Sequence, residues 1–200
     1  MHKEIEAKFI NIDKDGVISK LEQIGAKKVF DERLLRRRVY DMQIPVKDSW
    51  ARVRDEVDKV TMSFKRVSSH SLDGVEEVEL IIDDFENGCK FLRSLGLVEK
   101  AYQETKRMRY ALEKENVIFD IDTWPALNPW IEIESDSEAK VKEYAFKLGF
   151  NWEDAMFGSA GLVYTKVYKI DEAWINLKCP VLKFDELPGA LQPSNLRIMI

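Results

Sequence analysis

The stretch His2-Lys3-Glu4-Ile5-Glu6-Ala7-Lys8-Phe9 alternates charged and apolar residues. Successive side chains of a β-strand point to opposite faces of a sheet, so this alternation predicts a strand with Glu4, Glu6 and Lys8 on one face. A single strand of this kind is typical of a sheet that has one face in water. The same alternation returns in later segments of the chain, which makes the charged face a candidate functional surface.

Period-two alternation recurs in eight further segments. Most connections between them are short, and short connections predict antiparallel pairing because parallel strands need long crossovers. We therefore expect about eight antiparallel strands. The segments with this alternation are residues 2–9, 36–42, 49–55, 59–66, 76–82, 106–112, 117–122, 130–134 and 162–168.

Three segments between the strands have apolar residues at helical spacing, which predicts amphipathic helices and an α+β fold. Each segment ends in a large apolar residue followed by a glycine, the residue type favoured in the left-handed position after a helix. The predicted helices are residues 13–24, 85–95 and 138–148, and the glycines are Gly25, Gly96 and Gly149.

The regular pattern fades near residue 170, where Pro180, Pro188 and Gly189 interrupt the chain. We therefore predict one domain over residues 1–169 and a C-terminal extension over residues 170–200. The sequence of the extension contains no motif that indicates chemistry.

The charge balance of the 200-residue chain restricts its partners. It has 31 Lys and Arg residues against 36 Asp and Glu residues, a net charge of −5, and no long block of one sign. A protein that binds duplex nucleic acid is expected to present a basic face, so we expect no nucleic-acid partner. The two cysteines lack metal-ligand spacing, and no apolar run has membrane-spanning length, so we expect a cytoplasmic protein without a membrane partner.

Whole strands specialise in one sign of charge. The acidic residues are Glu4, Glu6, Glu77, Glu79, Asp120, Asp122, Glu132 and Glu134, and the basic residues are Lys8, Arg36, Arg38, Arg52, Arg54, Lys65, Arg107, Arg109 and Lys166. In an open sheet these faces would be solvated, whereas in a closed barrel they would point inward. Carboxylates bind Mg²⁺ or Mn²⁺ and arginines bind phosphate oxygens, so the barrel would suit a polyphosphate with a divalent metal.

The order of the charged motifs resembles that of the CYTH family, also called the triphosphate tunnel metalloenzymes. Glu4-Ile5-Glu6-Ala7-Lys8 matches the ExExK signature of that family, and the resemblance covers residues 2–168. The motifs that follow in the family's order are Arg52-Val53-Arg54, Thr61-Met62-Ser63-Phe64-Lys65, Glu77-Val78-Glu79, Lys106-Arg107-Met108-Arg109-Tyr110, Val117-Ile118-Phe119-Asp120-Ile121-Asp122 and Ile131-Glu132-Ile133-Glu134.

The resemblance implies an eight-stranded antiparallel β-barrel with helices packed outside it, a triphosphate-containing small molecule inside it, and Mg²⁺ or Mn²⁺ as cofactor. Carried over by position, the metal ligands are Glu4, Glu6, Glu79, Asp120, Asp122, Glu132 and Glu134, with Glu77 competing with Glu79 and Asp122 with Asp120. The implied substrate-binding residues are Lys8, Arg52, Arg54, Lys65, Arg107, Arg109 and Lys166, and the implied catalytic residues are Glu4, Glu6 and Lys8. Arg36 and Arg38 match no motif, and both an exposed position and ligand contact stay open for them.

Three functions stay open. We expect metal-dependent hydrolysis of the terminal phosphate of tripolyphosphate or of an organic or nucleoside triphosphate, because this needs only the charged cradle, a metal and water. The alternative is a class IV adenylate cyclase that converts ATP to cyclic AMP and pyrophosphate, since the run Arg37-Arg38-Val39-Tyr40-Asp41 resembles some cyclases. The third is a non-catalytic binder of polyphosphate or nucleotide. Trp50 is a candidate for the tunnel rim, and the family implies a monomer or homodimer.

Overall fold

The protein is described by a computed structural model that covers residues 2–44, 46–69 and 71–192, with side chains described from residue 5 onward. Its core is a closed ring of eight antiparallel strands in the order β2-β3-β4-β5-β1-β8-β7-β6, and pairing of β2 with β6 completes the ring. The strands are β1 (His2–Phe9), β2 (Lys27–Asp41), β3 (Ser49–Asp55), β4 (Val60–Val67), β5 (Val75–Ile82), β6 (Val98–Leu112), β7 (Val117–Thr123) and β8 (Trp130–Ser135). The prediction of an eight-stranded antiparallel barrel is confirmed.

Strand register brings the charged faces of neighbouring strands together. Lys8 lies opposite Glu132 in the β1–β8 pair, and Arg107 lies opposite Asp122 in the β6–β7 pair. Directly opposed residues point to the same face of a sheet. The alternation within each strand therefore becomes a continuous charged inner surface of the barrel.

The main hydrophobic core lies between the outer faces of the strands and the helices. Phe9 and Ile133 of the barrel pack in one buried cluster with Leu21 and Val141 of two helices. Burying a side chain of this size contributes about 1.5–3 kcal/mol. The apolar half of the alternation thus attaches the helices to the outside of the barrel.

The three predicted helices are confirmed within two residues at each end. They are α1 (Lys14–Gln23), α2 (Phe85–Ser94) and α3 (Glu138–Lys147). Gly25, Gly96 and Gly149 follow them with φ angles of +85°, +86° and +83°, a left-handed conformation that glycine adopts without a steric penalty.

The strand predicted over residues 162–168 is wrong, because this segment is helix α4 (Gly161–Tyr168). Val163 and Tyr164 are consecutive and both buried, a pattern that a half-exposed strand does not allow. The Tyr164 hydroxyl donates to the carbonyl oxygen of Pro125 at 2.7 Å, which ties the helix to the loop after β7. Tertiary contacts therefore override the β-branched and aromatic character of the segment.

The segment after α4 packs back onto the barrel as far as residue 192. It contains a short helix, α5 (Trp174–Leu177), and a two-residue strand, β9 (Val181–Leu182), that pairs in parallel with β6. Ile175 is buried in one apolar cluster with Trp124 and Trp130. No helix in the described ranges is long and apolar enough to cross a membrane.

Candidate functional site

A cavity of about 220 Å³ lies inside the barrel, and all eight long strands contribute residues to its wall. Its wall is almost evenly divided between the two signs of charge. The acidic wall residues are Glu6, Glu56, Glu77, Glu79, Asp122, Glu132 and Glu134, and the basic wall residues are Lys8, Arg37, Arg52, Arg54, Lys59, Lys65, Arg107 and Arg109.

Most of the residues predicted for the site line this cavity, and three predicted residues have other placements. Asp120 is buried beside the wall and is not part of it. Lys166 lies on the exposed face of α4, so the structure does not bring it to the cavity. The side chain of Glu4 lies outside the described part of the structure.

Arg107 is at the centre of a buried ion cluster between β6 and β7. Its guanidinium donates two hydrogen bonds of 2.6 Å to Asp122 and one of 2.5 Å to Asp120. Arg109 donates to the same Asp120 carboxylate at 2.6 and 2.7 Å. Asp120 is therefore saturated by two arginines, whereas Asp122 has one arginine and also faces the cavity.

Lys8 connects two carboxylates on the neighbouring strands β1 and β8. Its ammonium contacts Glu6 and lies 2.9 Å from Glu132. Burial and the nearby Glu132 charge raise the pKa of Glu6 to about 7, although Lys8 opposes both effects. Burial would also raise the pKa of Glu132, but Lys8 and Arg107 outweigh it and hold that pKa well below its usual range.

Glu134 differs from the other acidic wall residues. Among the described residues it has no ion pair or hydrogen bond through its carboxylate. It lies directly opposite Glu6 in the β1–β8 register. Burial, together with the charges of Glu132 and Asp120, raises its pKa. The nearby charges of Lys65 and Arg109 therefore compensate the Glu134 carboxylate only in part.

Four further wall charges form ion pairs across β3, β4 and β5. Arg52 lies 3.3 Å from both Glu77 and Glu79, and Lys65 lies 3.2 Å from Glu77. Both members of the predicted Glu77/Glu79 competition thus face the cavity and share one arginine. An arginine held between two carboxylates in this way is oriented before any ligand enters.

The fold is similar to those of several solved structures. A "putative adenylate cyclase" from Vibrio parahaemolyticus matches with a TM-score of 0.67 and 14% identity, covering 82% of this chain and 98% of its own. The PH1012 protein of Pyrococcus horikoshii OT3 matches with a TM-score of 0.65 and 22% identity, covering 76% and 93%. The "putative adenylyl cyclase" HpAC1 from Hippeastrum, described with a dominant triphosphatase activity, matches with a TM-score of 0.53 and 17% identity, covering 82% and 95%. No protein-family model and no curated protein matches the sequence.

The fold can be assigned from three observations: the closed antiparallel ring, its charged interior and the similarity to these structures. The chain has the CYTH, or triphosphate tunnel, fold. The cavity inside the barrel is called the tunnel from here on.

Three charged tunnel residues were not predicted as site residues: Arg37, Glu56 and Lys59. The alternation placed Arg36 and Arg38 on the charged face of β2, but Arg37 is the residue that points inward. Arg36 pairs with Asp55 and Arg38 with Glu99 outside the tunnel. Because arginines lie on both faces of this part of β2, polar and apolar residues do not alternate there, and the period-two pattern cannot show which face is inside.

The segments before and after α4 also contribute to the tunnel wall, although the sequence of the extension from residue 170 indicated no chemistry. Gly158, Ser159 and Ala160 line it before α4, and Ile175 and Asn176 line it from α5. Residues this remote in sequence from the charged motifs become part of the site only through the packing of α4 and α5 on the barrel.

The donor chemistry of the tunnel fits a hard divalent cation. In the described ranges no three His, Cys, Asp or Glu side chains are already arranged around a common metal position. The opposed carboxylates of Glu6 and Glu134 nevertheless supply oxygen donors of the kind that Mg²⁺ and Mn²⁺ prefer. A cation bound there would favour the charged form of both carboxyl groups, whose pKa values are raised first by burial.

A second cavity of about 430 Å³ adjoins the tunnel. The two cavities share Trp50, Ser159 and Asn176 as wall residues. Trp50, the predicted rim residue, thus lies where the tunnel meets a larger space. That space could hold an organic group attached to a phosphate chain.

Glu56 gives a testable pH dependence of stability. Its side chain is 2% exposed, and Arg54 donates to it at 2.8 Å. Burial would raise its pKa, but Arg54 and Lys59 outweigh burial and lower the pKa from 4.5 to about 2. A carboxyl group whose pKa is lower in the folded protein than in the unfolded chain stabilises the fold at any pH above the unfolded value. This stabilisation is lost as the pH falls from about 4.5 towards 2.

We therefore expect Glu56→Gln to lower the free energy of unfolding by about 3 kcal/mol at pH 7, with a smaller loss at pH 3. Urea unfolding of both proteins at pH 7, 5 and 3 measures the difference. Glu76→Gln is the matched control, because Glu76 pairs with Arg66 outside the tunnel. A difference between wild type and Glu56→Gln that stays constant down to pH 3 would contradict the assignment.

Proposed function

We propose that the protein is a divalent-metal-dependent triphosphatase that cleaves the terminal phosphate of tripolyphosphate or of an organic triphosphate. The observation that supports this most is the pairing of opposite features in one tunnel. Glu134, which has no ion pair among the described residues, and Glu6, which lies opposite it, face the same space as a wall of arginines. A phosphate chain chelated to a metal needs both, because the metal requires carboxylates and the free phosphate oxygens require cations.

Phosphoryl transfer requires mainly alignment and neutralisation of charge. Arg52, Arg54 and Arg107 are positioned to hold phosphate oxygens, and their carboxylate partners keep the guanidinium groups in place until the substrate enters. Lys8 holds Glu6 and Glu132 in a fixed orientation. A bound Mg²⁺ or Mn²⁺ would supply Lewis-acid polarisation of the phosphate.

The second candidate is an adenylate cyclase, and two observations favour it over a non-catalytic binder. The cavity beside Trp50 offers space for a nucleoside, and two of the similar structures are named as adenylate or adenylyl cyclases. Hydrolysis stays the first proposal because it needs no nucleoside pocket. The triphosphatase activity described for the Hippeastrum protein also supports this order.

Product analysis separates the two candidates. We expect phosphorus NMR to show orthophosphate and pyrophosphate from tripolyphosphate with Mg²⁺ or Mn²⁺, and no turnover after addition of EDTA. Glu6→Gln is expected to abolish this turnover, whereas Glu76→Gln on the outer face of β5 is expected to retain it. Cyclic AMP and pyrophosphate from ATP would instead establish the cyclase. Tight binding of tripolyphosphate without turnover of either compound would leave a binding protein as the answer.

A further inference from the structure

We propose that Arg37 binds a phosphate oxygen of the substrate directly, as a tunnel residue of β2 that lies outside the predicted set. This inference rests on the proposed function and adds a specific contact to it. Arg37 lies opposite Arg54 on β3 and opposite Gln103 on β6, and its side chain lines the tunnel.

The charge of Arg37 lacks a carboxylate partner. Within the described part of the tunnel wall, every other Lys or Arg lies within 4.0 Å of a carboxylate. Arg37 forms no such pair, and its hydrogen bond runs from Nε to the neutral side chain of Gln103 at 2.7 Å. A half-buried cation without a counter-ion is costly unless an anion binds to it.

Most of the tunnel charges that act on Arg37 are positive, and the carboxylate of Asp122 opposes them. Burial, followed by the nearby charges of Arg52, Arg54 and Arg107, lowers the pKa of Arg37. Arginine stays protonated in proteins, so these four cations remain charged together. A polyanion placed among them relieves their repulsion, and phosphate oxygens match the planar guanidinium groups.

The Arg37 side chain is already oriented for such a ligand. Its guanidinium lies 4.4 Å from the ring centre of Trp124, a cation–π distance. Gln103, which accepts from Nε, donates in turn to the carbonyl oxygen of Ile175 at 2.5 Å and to Asn176 at 3.2 Å. The two terminal nitrogens of Arg37 donate to no described residue, so the bonds that orient the side chain leave its two-pronged end available.

The contacts of Gln103 also explain why α5 reaches into the barrel. Gln103 is fully buried and needs partners for its amide, and the end of α5 supplies them. Residues of α5 thus accept hydrogen bonds from Gln103, and Gln103 in turn accepts one from Arg37. The segment after residue 170 thereby fixes one phosphate-binding side chain.

Isothermal titration of inorganic tripolyphosphate into the protein in EDTA, where no turnover is expected, tests the proposal. Arg37→Gln is expected to weaken binding by about 10- to 100-fold, the range for hydrogen bonds to charged groups. Arg37→Lys keeps the charge but loses the two-pronged geometry, so an intermediate loss is expected. Arg36→Gln is the matched control, because its neighbouring guanidinium pairs with Asp55 outside the tunnel, and it is expected to bind like wild type.

Thermal unfolding without ligand shows whether the variants are folded. Arg37→Gln leaves no carboxylate without a partner, so its melting temperature is expected to equal or exceed that of wild type. Equal affinity of Arg37→Gln and wild type would overturn the inference while leaving the proposed function intact. Equal losses in Arg37→Gln and Arg36→Gln would overturn it too, because the effect would then be one of net charge. Absence of tripolyphosphate binding by wild type in EDTA would also overturn the inference, whereas absence of turnover with Mg²⁺ or Mn²⁺ would overturn the proposed function.

Discussion

Arg107→Met is expected to lower the free energy of unfolding by about 3–5 kcal/mol at pH 8, the range for breaking a buried ion pair. The Arg107 side chain is 13% exposed and those of Asp120 and Asp122 are 2% and 5% exposed, so water cannot replace the lost partner. Asp120 keeps Arg109, whereas Asp122 keeps no ion pair among the described residues. Most of the cost therefore comes from the Asp122 charge.

The pH dependence identifies that cause. Without Arg107 the pKa of Asp122 rises further, so the carboxyl binds a proton in the folded variant at a pH where it is charged in the unfolded chain. The loss is thus expected to be largest at pH 8 and to shrink as the pH falls towards 5. Adding Asp122→Asn to Arg107→Met is expected to recover part of the stability at pH 8.

Urea unfolding followed by tryptophan fluorescence measures these differences. Arg36→Met is the matched control, because the Arg36 side chain is 53% exposed where it pairs with Asp55. Exposed ion pairs contribute at most about 1 kcal/mol, so this variant is expected to be nearly as stable as wild type. A loss in Arg107→Met as small as that of the control would show that the buried cluster does not stabilise the fold.

The same cluster shows why so much of the site could be predicted from the sequence. Arg107 and Asp122 are each part of a period-two alternation. In such a strand the charged residues all point to one face of the sheet and the apolar residues to the other, so only two arrangements are possible. Once the apolar residues face the helices, the charged ones must face the barrel interior. Strand patterning therefore indicated the charged face of most strands, and the resemblance to the CYTH family implied that this face lines a closed barrel.

The parts that could not be predicted depend on contacts between remote segments. Lys166 was assigned to a strand because Val163, Tyr164 and Val167 favour extended structure locally. The helix that forms there is stabilised by packing against Trp124, nearly forty residues away, which local sequence does not reveal. Arg37 was missed for the related reason that Arg36 and Arg38 find their acidic partners outside the tunnel on other strands.

Glu134→Gln is expected to reduce metal-dependent turnover of tripolyphosphate by about 100-fold while leaving the unliganded protein at least as stable as wild type. Both effects follow from its surroundings. Among the described residues Glu134 has no cation partner and lies opposite Glu6. Removing its charge relieves repulsion between carboxylates and leaves no lysine or arginine without a partner.

Glu132→Gln is the matched comparison, because Glu132 is two residues away on the same strand and faces the same tunnel. Its carboxylate lies 2.9 Å from Lys8 and 3.7 Å from Arg107. Neutralising it weakens a buried charged contact, so we expect a loss of about 1.5–3 kcal/mol in the free energy of unfolding. Turnover is expected to fall in this variant as well.

Steady-state turnover with Mn²⁺ and urea unfolding without metal together distinguish a carboxylate that binds the metal from one that pairs with Lys8. Turnover alone is expected to fall in both variants. A carboxylate kept to bind a metal is expected to reduce the stability of the metal-free protein, whereas one kept to pair with Lys8 is expected to increase it. If Glu134→Gln destabilises the metal-free protein as much as Glu132→Gln does, Glu134 has a structural partner and the proposed metal position is wrong. If Glu134→Gln is stable and still active, the metal binds through other carboxylates. Addition of Mn²⁺ distinguishes the expected case, since it should stabilise wild type against urea more than it stabilises Glu134→Gln.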